Sequence, residues 1–182
     1  MNHCVALLRG INVGGKNLLK MAELRACFES LGFHNVRSYI QSGNVVFGTD
    51  EQDQAALASQ IEAGLTGAFG LELLTVVRSQ DAMRAVIDQA PAGFGAQPDD
   101  YRYDVVFLKE PLTPDNALEQ ISTRDGVDQA HSGPGAIYFS RLTSRASQSH
   151  LSRVVSLPIY QSMTIRNWRT TTRLMSMLEE GA

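Results

Sequence analysis

Apolar positions recur along the chain with two different periods, and the switches between them mark out the elements. Val5-Ala6-Leu7-Leu8 is an unbroken apolar run closed by Gly10, which suits a strand buried on both faces. Leu24, Cys27, Phe28 and Leu31 then recur at helical spacing. Gly32 stands where a left-handed cap ends a helix, leaving Phe33 to fold back on it. Val36 to Gln41 and Val45 to Phe47 predict two strands joined through Ser42-Gly43-Asn44, with Gly43 supplying the positive φ of a tight hairpin. Asp50, Glu51 and Asp53 place acids at a helix start, ahead of an apolar stripe at Leu57, Ile61 and Leu65. Leu71 to Val77 reads as a fourth strand.

Strand, helix, strand, strand, helix, strand is the order of a ferredoxin-like half. Ser79 then caps another helix with its stripe at Met83, Val86, Ile87 and Ala90, and Pro91 to Asp100 reads as a connection. From there the pattern restarts. Tyr103 to Leu108 is a strand, Thr113-Pro114 opens a helix, and Val127 to His131 and Ala136 to Phe139 form a hairpin around Ser132-Gly133-Pro134-Gly135. Leu151, Val154 and Val155 lie on a short helix, and Trp168, Thr171, Thr172 and Met175 on a final one. Because Ser42-Gly43 and Ser132-Gly133 occupy equivalent hairpins, the expected fold is α+β. It has two ferredoxin-like (βαββαβ) halves, residues 1–90 and 101–182, with an extra C-terminal helix, packed as one compact unit.

Composition narrows the function classes. With 182 residues, 43% hydrophobic and 19% charged, the chain can bury a core without metal or disulfide staples. Cys4 and Cys27 fall on a buried strand and an apolar helix face, and His3, His34, His131 and His150 show no ligand spacing, so neither metal nor cofactor is expected. The N-terminus has neither the charge nor the apolar length of a signal or a span. A cytoplasmic protein without a membrane partner is therefore expected. The net charge of −3 hides a strong segmentation. Residues 1–22 hold Arg9, Lys16 and Lys20 and no acid; residues 129–178 hold six arginines and no acid. These two segments would make one positive surface if the fold brought them together; otherwise they are solvated faces paired with the acidic middle.

Gly10-Ile11-Asn12-Val13-Gly14-Gly15-Lys16-Asn17 follows a strand and comes within one residue of a phosphate-binding P-loop. Asn17 stands where Ser or Thr would hold Mg²⁺, and Leu18, Leu19 and Lys20 intervene before the helix, which argues against a nucleotide hydrolase. The loop keeps three glycines that let a ligand approach the backbone, and cations that donate charge-assisted hydrogen bonds. The candidate anion site is therefore Arg9, Gly10, Asn12, Gly14, Gly15, Lys16 and Asn17, with Gln41, Ser42 and Asn44 of the hairpin. In the alternative, the glycines only turn the chain and the asparagines satisfy backbone groups. A second candidate is the block Met163 to Arg173. There Arg166, Arg169 and Arg173 are expected to share a face of the last helix, with Asn167 near its start and Trp168 anchored in the core. The first strand lacks the stacking aromatics of an RNA-recognition sheet.

Leu8 to Asn17, Met21-Ala22-Glu23-Leu24, Tyr39 to Phe47 and Thr164-Ile165-Arg166-Asn167-Trp168 together resemble the hallmark blocks of the bacterial family called domain of unknown function 1697. The resemblance implies two intertwined ferredoxin-like halves and supplies no activity, catalytic residue or cofactor. From the residues, the expected function is binding of a phosphate-bearing ligand, nucleic acid or nucleotide. The alternatives are an enzyme acting on a small phosphorylated or carboxylated metabolite, or a regulatory module that contacts a protein partner.

Overall fold

In the computed structural model, which describes residues 1–181, the opening apolar run becomes β1 (Asn2–Leu8), buried at every position from Cys4 to Leu8. Cys4, Ala6 and Leu8 enter one core and the alternate residues Val5 and Leu7 are equally buried, so both faces of the strand are covered. The chain then forms α1 (Met21–Ser30), which buries Leu24, Cys27 and Phe28. That helix ends because Gly32 turns at φ 88°, after which Phe33 folds back with its ring 5.8 Å from Phe28 and 4.5 Å from Phe47. Next come β2 (His34–Tyr39), β3 (Asn44–Thr49), α2 (Gln54–Phe69) and β4 (Thr75–Ser79). The Asp53 carboxylate caps α2 by accepting from the Ala55 and Ala56 amides at 2.9 and 3.1 Å. These strands form one antiparallel sheet in the order β2-β3-β1-β4.

The fourth strand lies later than the apolar run Leu71 to Val77 predicts. Leu73 packs into the core ahead of the sheet, and the ladder to β1 begins only at Thr75. The second strand likewise starts earlier, at His34, with a bulge before Arg37 that bends this edge strand.

Beyond α3 (Gln80–Asp88), whose first turn is capped by Ser79, the chain forms β5 (Tyr101–Leu108), α4 (Pro114–Leu118), β6 (Asp128–Gly133) and β7 (Ala136–Leu142). Two 3₁₀ turns flanking α5 (Leu151–Val154) lead to β8 (Met163–Asn167) and α6 (Trp168–Glu179). The second sheet is antiparallel in the order β6-β7-β5-β8. The fold is thus α+β, with two four-stranded antiparallel sheets whose registers correspond. Val5 lies between Val46 and Arg78, and Val105 between Tyr138 and Arg166. The Leu8 amide donates to Gly43 O at 2.8 Å, and the Leu108 amide to Gly135 O at 3.0 Å.

The chain divides into two units: Met1–Arg84 joined by the stretch from Arg173 onward, and Ala85–Thr172. The first has its core between the sheet and helices α1 and α2, where Phe28, Phe47, Leu57, Ile61 and Leu65 are fully buried. The second packs Val106, Leu108, Ile137 and Phe139 under Ala117, Leu151 and Val154. It also carries an aromatic cluster in which Phe94 meets Tyr103, Tyr138 and Trp168 at 4.9, 5.3 and 5.1 Å. The buried Tyr138 hydroxyl donates to Val86 O at 2.6 Å, and burial pushes its pKa up to about 12. No helix among the described residues is long and apolar enough to cross a membrane.

Gly95 and Gly93 separate packing from backbone strain. Both have left-handed φ, but a Cβ on Gly95 would overlap the Trp168 indole, whereas Gly93 faces open space. Gly93→Ala is expected to cost about 1–2 kcal/mol for the conformation alone. Gly95→Ala adds overpacking of about 1–3 kcal/mol. Thermal unfolding should therefore place Gly95→Ala at the lower melting temperature of the two, by roughly 3–10 °C.

Candidate functional site

The loop leaving β1 is a miniature hairpin. The Lys16 amide donates to Val13 O at 3.1 Å and the Asn12 amide to Asn17 O at 3.2 Å, across a turn at Gly14 and Gly15 with φ of 58° and 73°. Two consecutive positive φ values are what a two-residue hairpin turn of this hand requires, and glycine adopts them without strain. The resemblance to a P-loop therefore stops at spacing. A phosphate cradle needs the backbone amides at a helix start, but the helix begins at Met21, and the amides of Asn12 and Lys16 are engaged within the hairpin.

Asn12 is the hub of the loop. Its Oδ1 accepts from the Leu19 amide at 2.8 Å, and its Nδ2 donates to Leu19 O and to Gln41 O, both at 2.9 Å. Asn17 adds a bond from Nδ2 to Gly10 O at 2.8 Å. Both asparagines hold left-handed φ, 53° and 49°, which Asn tolerates better than most residues. The alternative reading of the sequence, that these asparagines satisfy backbone groups, describes their bonds correctly. Ile11 and Leu19, both buried, root the hairpin in the core.

The bond to Gln41 O ties this hairpin to the turn between β2 and β3. Gly43 is needed there twice over. It sits at φ 79°, and a Cβ would lie 2.9 Å from Leu8 Cβ and 3.0 Å from Leu8 O. Asn44 is fully buried, and its Nδ2 donates to Tyr39 O and Ser42 Oγ, both at 3.1 Å, so it holds the turn closed. Ile40 in the same turn has φ 49°, a strained conformation for a β-branched residue.

Of the residues singled out in the first unit, direct bonds join Gly10, Asn12, Asn17 and Gln41, and Ser42 and Asn44 bond each other on the adjoining turn. Gly14, Gly15 and Lys16 form the exposed tip, while Arg9 is half-buried where β1 ends, its amide donating to Leu74 O at 2.9 Å. Lys16 has no ion-pair partner among the described residues. Lys20 touches Glu23 at 3.8 Å in an exposed, weak pair. Sequence reasoning passed over Val13, Leu18 and Ile40, which are apolar yet exposed in these loops.

The second candidate needs correction. Arg166 lies on β8, not on the last helix, so Arg166, Arg169 and Arg173 do not form one helical face, whereas Asn167 stands at the helix start as expected. Arg166 is 9% exposed, donates to Thr164 Oγ1 and Ile165 O at 2.9 Å each, and is held by desolvation at a pKa of about 10, with Tyr160 opposing the shift. Asn167 caps the helix, its Oδ1 accepting from the Thr170 amide at 2.7 Å. Trp168 packs against Phe94, as expected of an anchor. Arg169 is exposed, and Arg173 pairs with Glu180 at 2.8 Å. Among the described residues no group of three or more His, Cys, Asp or Glu could hold a metal, and the Cys4 thiol is buried with its pKa near 11.

A family model described as a protein of unknown function (DUF1697) matches residues 1–138, which takes in both loops and ends before the Thr164–Trp168 block. Among solved structures, the chain is similar to conserved bacterial protein SP0830 from Streptococcus pneumoniae, at 29% identity and a TM-score of 0.84. The alignment covers 97% of this chain and 98% of that one. No curated protein matches the chain.

Burial makes a distinction between two arginines that the sequence treats alike. Arg166→Ala leaves buried acceptors without their donor and should cost about 2 kcal/mol or more. Arg169→Ala, at an exposed position, should stay within about 0.5 kcal/mol of wild type in chemical denaturation.

Proposed function

The chain belongs to the family of proteins of unknown function DUF1697, and from that premise we propose that it binds a phosphate-bearing ligand, nucleic acid or nucleotide, at the paired loops of its first unit. The observation that carries this reading is Lys16 at the tip of a hairpin braced by Asn12, with no ion-pair partner and no acid between residues 1 and 22. An ammonium on a preorganised loop meets a phosphate without the cost of ordering the loop at the moment of binding. Because the helix begins only at Met21 and the Asn12 and Lys16 amides close the hairpin, recognition rests on side-chain charge rather than on a helix-start cradle. The exposure of Gly10 and of Val13 to Leu18 gives an open surface, which favours an extended ligand over the small metabolite of an enzyme pocket.

Both halves are read here as ferredoxin-like. The first follows βαββαβ, and the second repeats its strand order with short helices in its second crossover. The two free cysteines fit a reducing compartment, and the cytoplasm is the proposed location.

Fluorescence anisotropy with labelled oligonucleotides tests the reading. Affinity should fall with salt at a log-log slope of about −0.9 per duplex phosphate neutralised, or about −0.7 for single strands. Lys16→Ala should weaken binding several-fold and flatten the slope by about one such increment without moving the melting temperature. Salt-independent binding would remove nucleic acid as the ligand. Asn12→Gly keeps the left-handed φ accessible but deletes three hydrogen bonds. It should cost about 1–3 kcal/mol of stability and weaken anion binding together with it, read by thermal unfolding and anisotropy on one preparation.

A further inference from the structure

Five large hydrophobic side chains stand exposed among the described residues, and three of them, Val13, Leu18 and Ile40, belong to the two loops of the candidate site, at 62%, 75% and 51% exposure. Each is one residue from a hydrogen bond of the Asn12 hub. Val13 follows Asn12 itself, Leu18 precedes Leu19, and Ile40 precedes Gln41. The same fastening that presents Lys16 therefore presents three aliphatic side chains. Ile40 is the most telling of these, because its left-handed φ is a strain that core packing does not explain for a side chain half in solvent.

We infer that the paired loops dock on the headgroup layer of an anionic lipid bilayer. This rests on the anion site proposed above, and takes its phosphate from lipid headgroups in place of a nucleic acid or nucleotide. Clustered exposed aliphatic groups mark an interaction surface. Here the exposed charge at the tip is Lys16, with Lys20 beside Glu23 and half-buried Arg9 at the end of β1, and no acid precedes Glu23, which complements a sheet of phosphates. Long lysine stems reach back to the headgroups while aliphatic tips enter the acyl boundary. Bonding within the loops also reduces the number of backbone groups that must lose water at that boundary. The amides of Asn12 and Lys16 and the carbonyls of Gly10, Val13, Asn17, Leu19 and Gln41 are bonded there, while the tip amides of Gly14 and Gly15 stay at headgroup level. A single-stranded nucleic acid would instead be stacked on aromatic rings, and neither Gly10 to Lys20 nor Ile40 to Asn44 contains one. The expectation of no membrane partner rested on the lack of a spanning segment, which a peripheral contact does not need.

The test sediments the full-length protein with vesicles of equimolar phosphatidylglycerol and phosphatidylcholine, and with phosphatidylcholine alone, beside oligonucleotide anisotropy on the same sample. Expected are binding to the anionic vesicles only, its loss in molar salt, and a weakening of about five-fold or more in the double variant Val13→Ser, Leu18→Ser at unchanged melting temperature. Oligonucleotide binding that depends on Lys16, with no vesicle binding, overturns the lipid assignment and leaves the anion reading standing. Failure with both probes overturns both. Vesicle binding that is indifferent to the double variant, or equal on neutral vesicles, overturns the docking geometry described here.

Discussion

The carboxamide of Asn12 fixes the relation between two loops that have no backbone ladder between them in that region. A carboxamide offers two donors and an acceptor, and here all three meet main-chain groups, of Leu19 twice and of Gln41 once. Losing the two partly buried bonds to Leu19 together with the exposed one to Gln41 would be costly, so the carboxamide favours this arrangement of the loops. The cation and the aliphatic side chains that project from the loops take their positions from that side chain together with Asn17 and Asn44. Buried Ile11 and Leu19 supply the footing against which it works.

The hairpin also shows how a sequence pattern can be nearly right and chemically different. Glycines followed by lysine can lead into a helix, where free amides converge on an anion, or into a two-residue turn, where the amides close on the opposite strand. Asn17 and the extended segment Leu18 to Lys20 decide the matter. The asparagine accepts a left-handed φ and returns a bond to Gly10 O, and the helix cannot begin until Met21.

Most of the fold was legible from the sequence because its signals are local. Asp53, Ser79 and Thr113-Pro114 cap the helices they precede, and Gly32 with Phe33 ends α1 in the expected way. What escaped was non-local. A strand as short as Met163–Asn167 is too brief to interrupt a helical period, so Arg166 was grouped with Arg169 and Arg173 by spacing alone, and its burial depends on neighbours the spacing does not record. Leu71 to Val77 looked uniform because apolar residues entering a core and apolar residues entering a ladder are written with the same letters. Within the site the loop residues were found through glycine, lysine and asparagine. The exposure of Val13, Leu18 and Ile40 was not legible, since hydrophobicity in a sequence predicts burial and only a fold can withhold it.

The first unit is completed by a stretch distant in sequence, from Arg173 onward. The Arg37 guanidinium donates to Met177 O and Gly181 O, both at 2.6 Å, and closes an ion pair with Glu180 at 3.5 Å. During synthesis the sheet that carries Arg37 emerges from the ribosome long before those acceptors exist outside the exit tunnel. Until residues 177 to 181 follow, the Arg37 guanidinium has only water for those bonds, so a part of the unit that is made early reaches its finished form late.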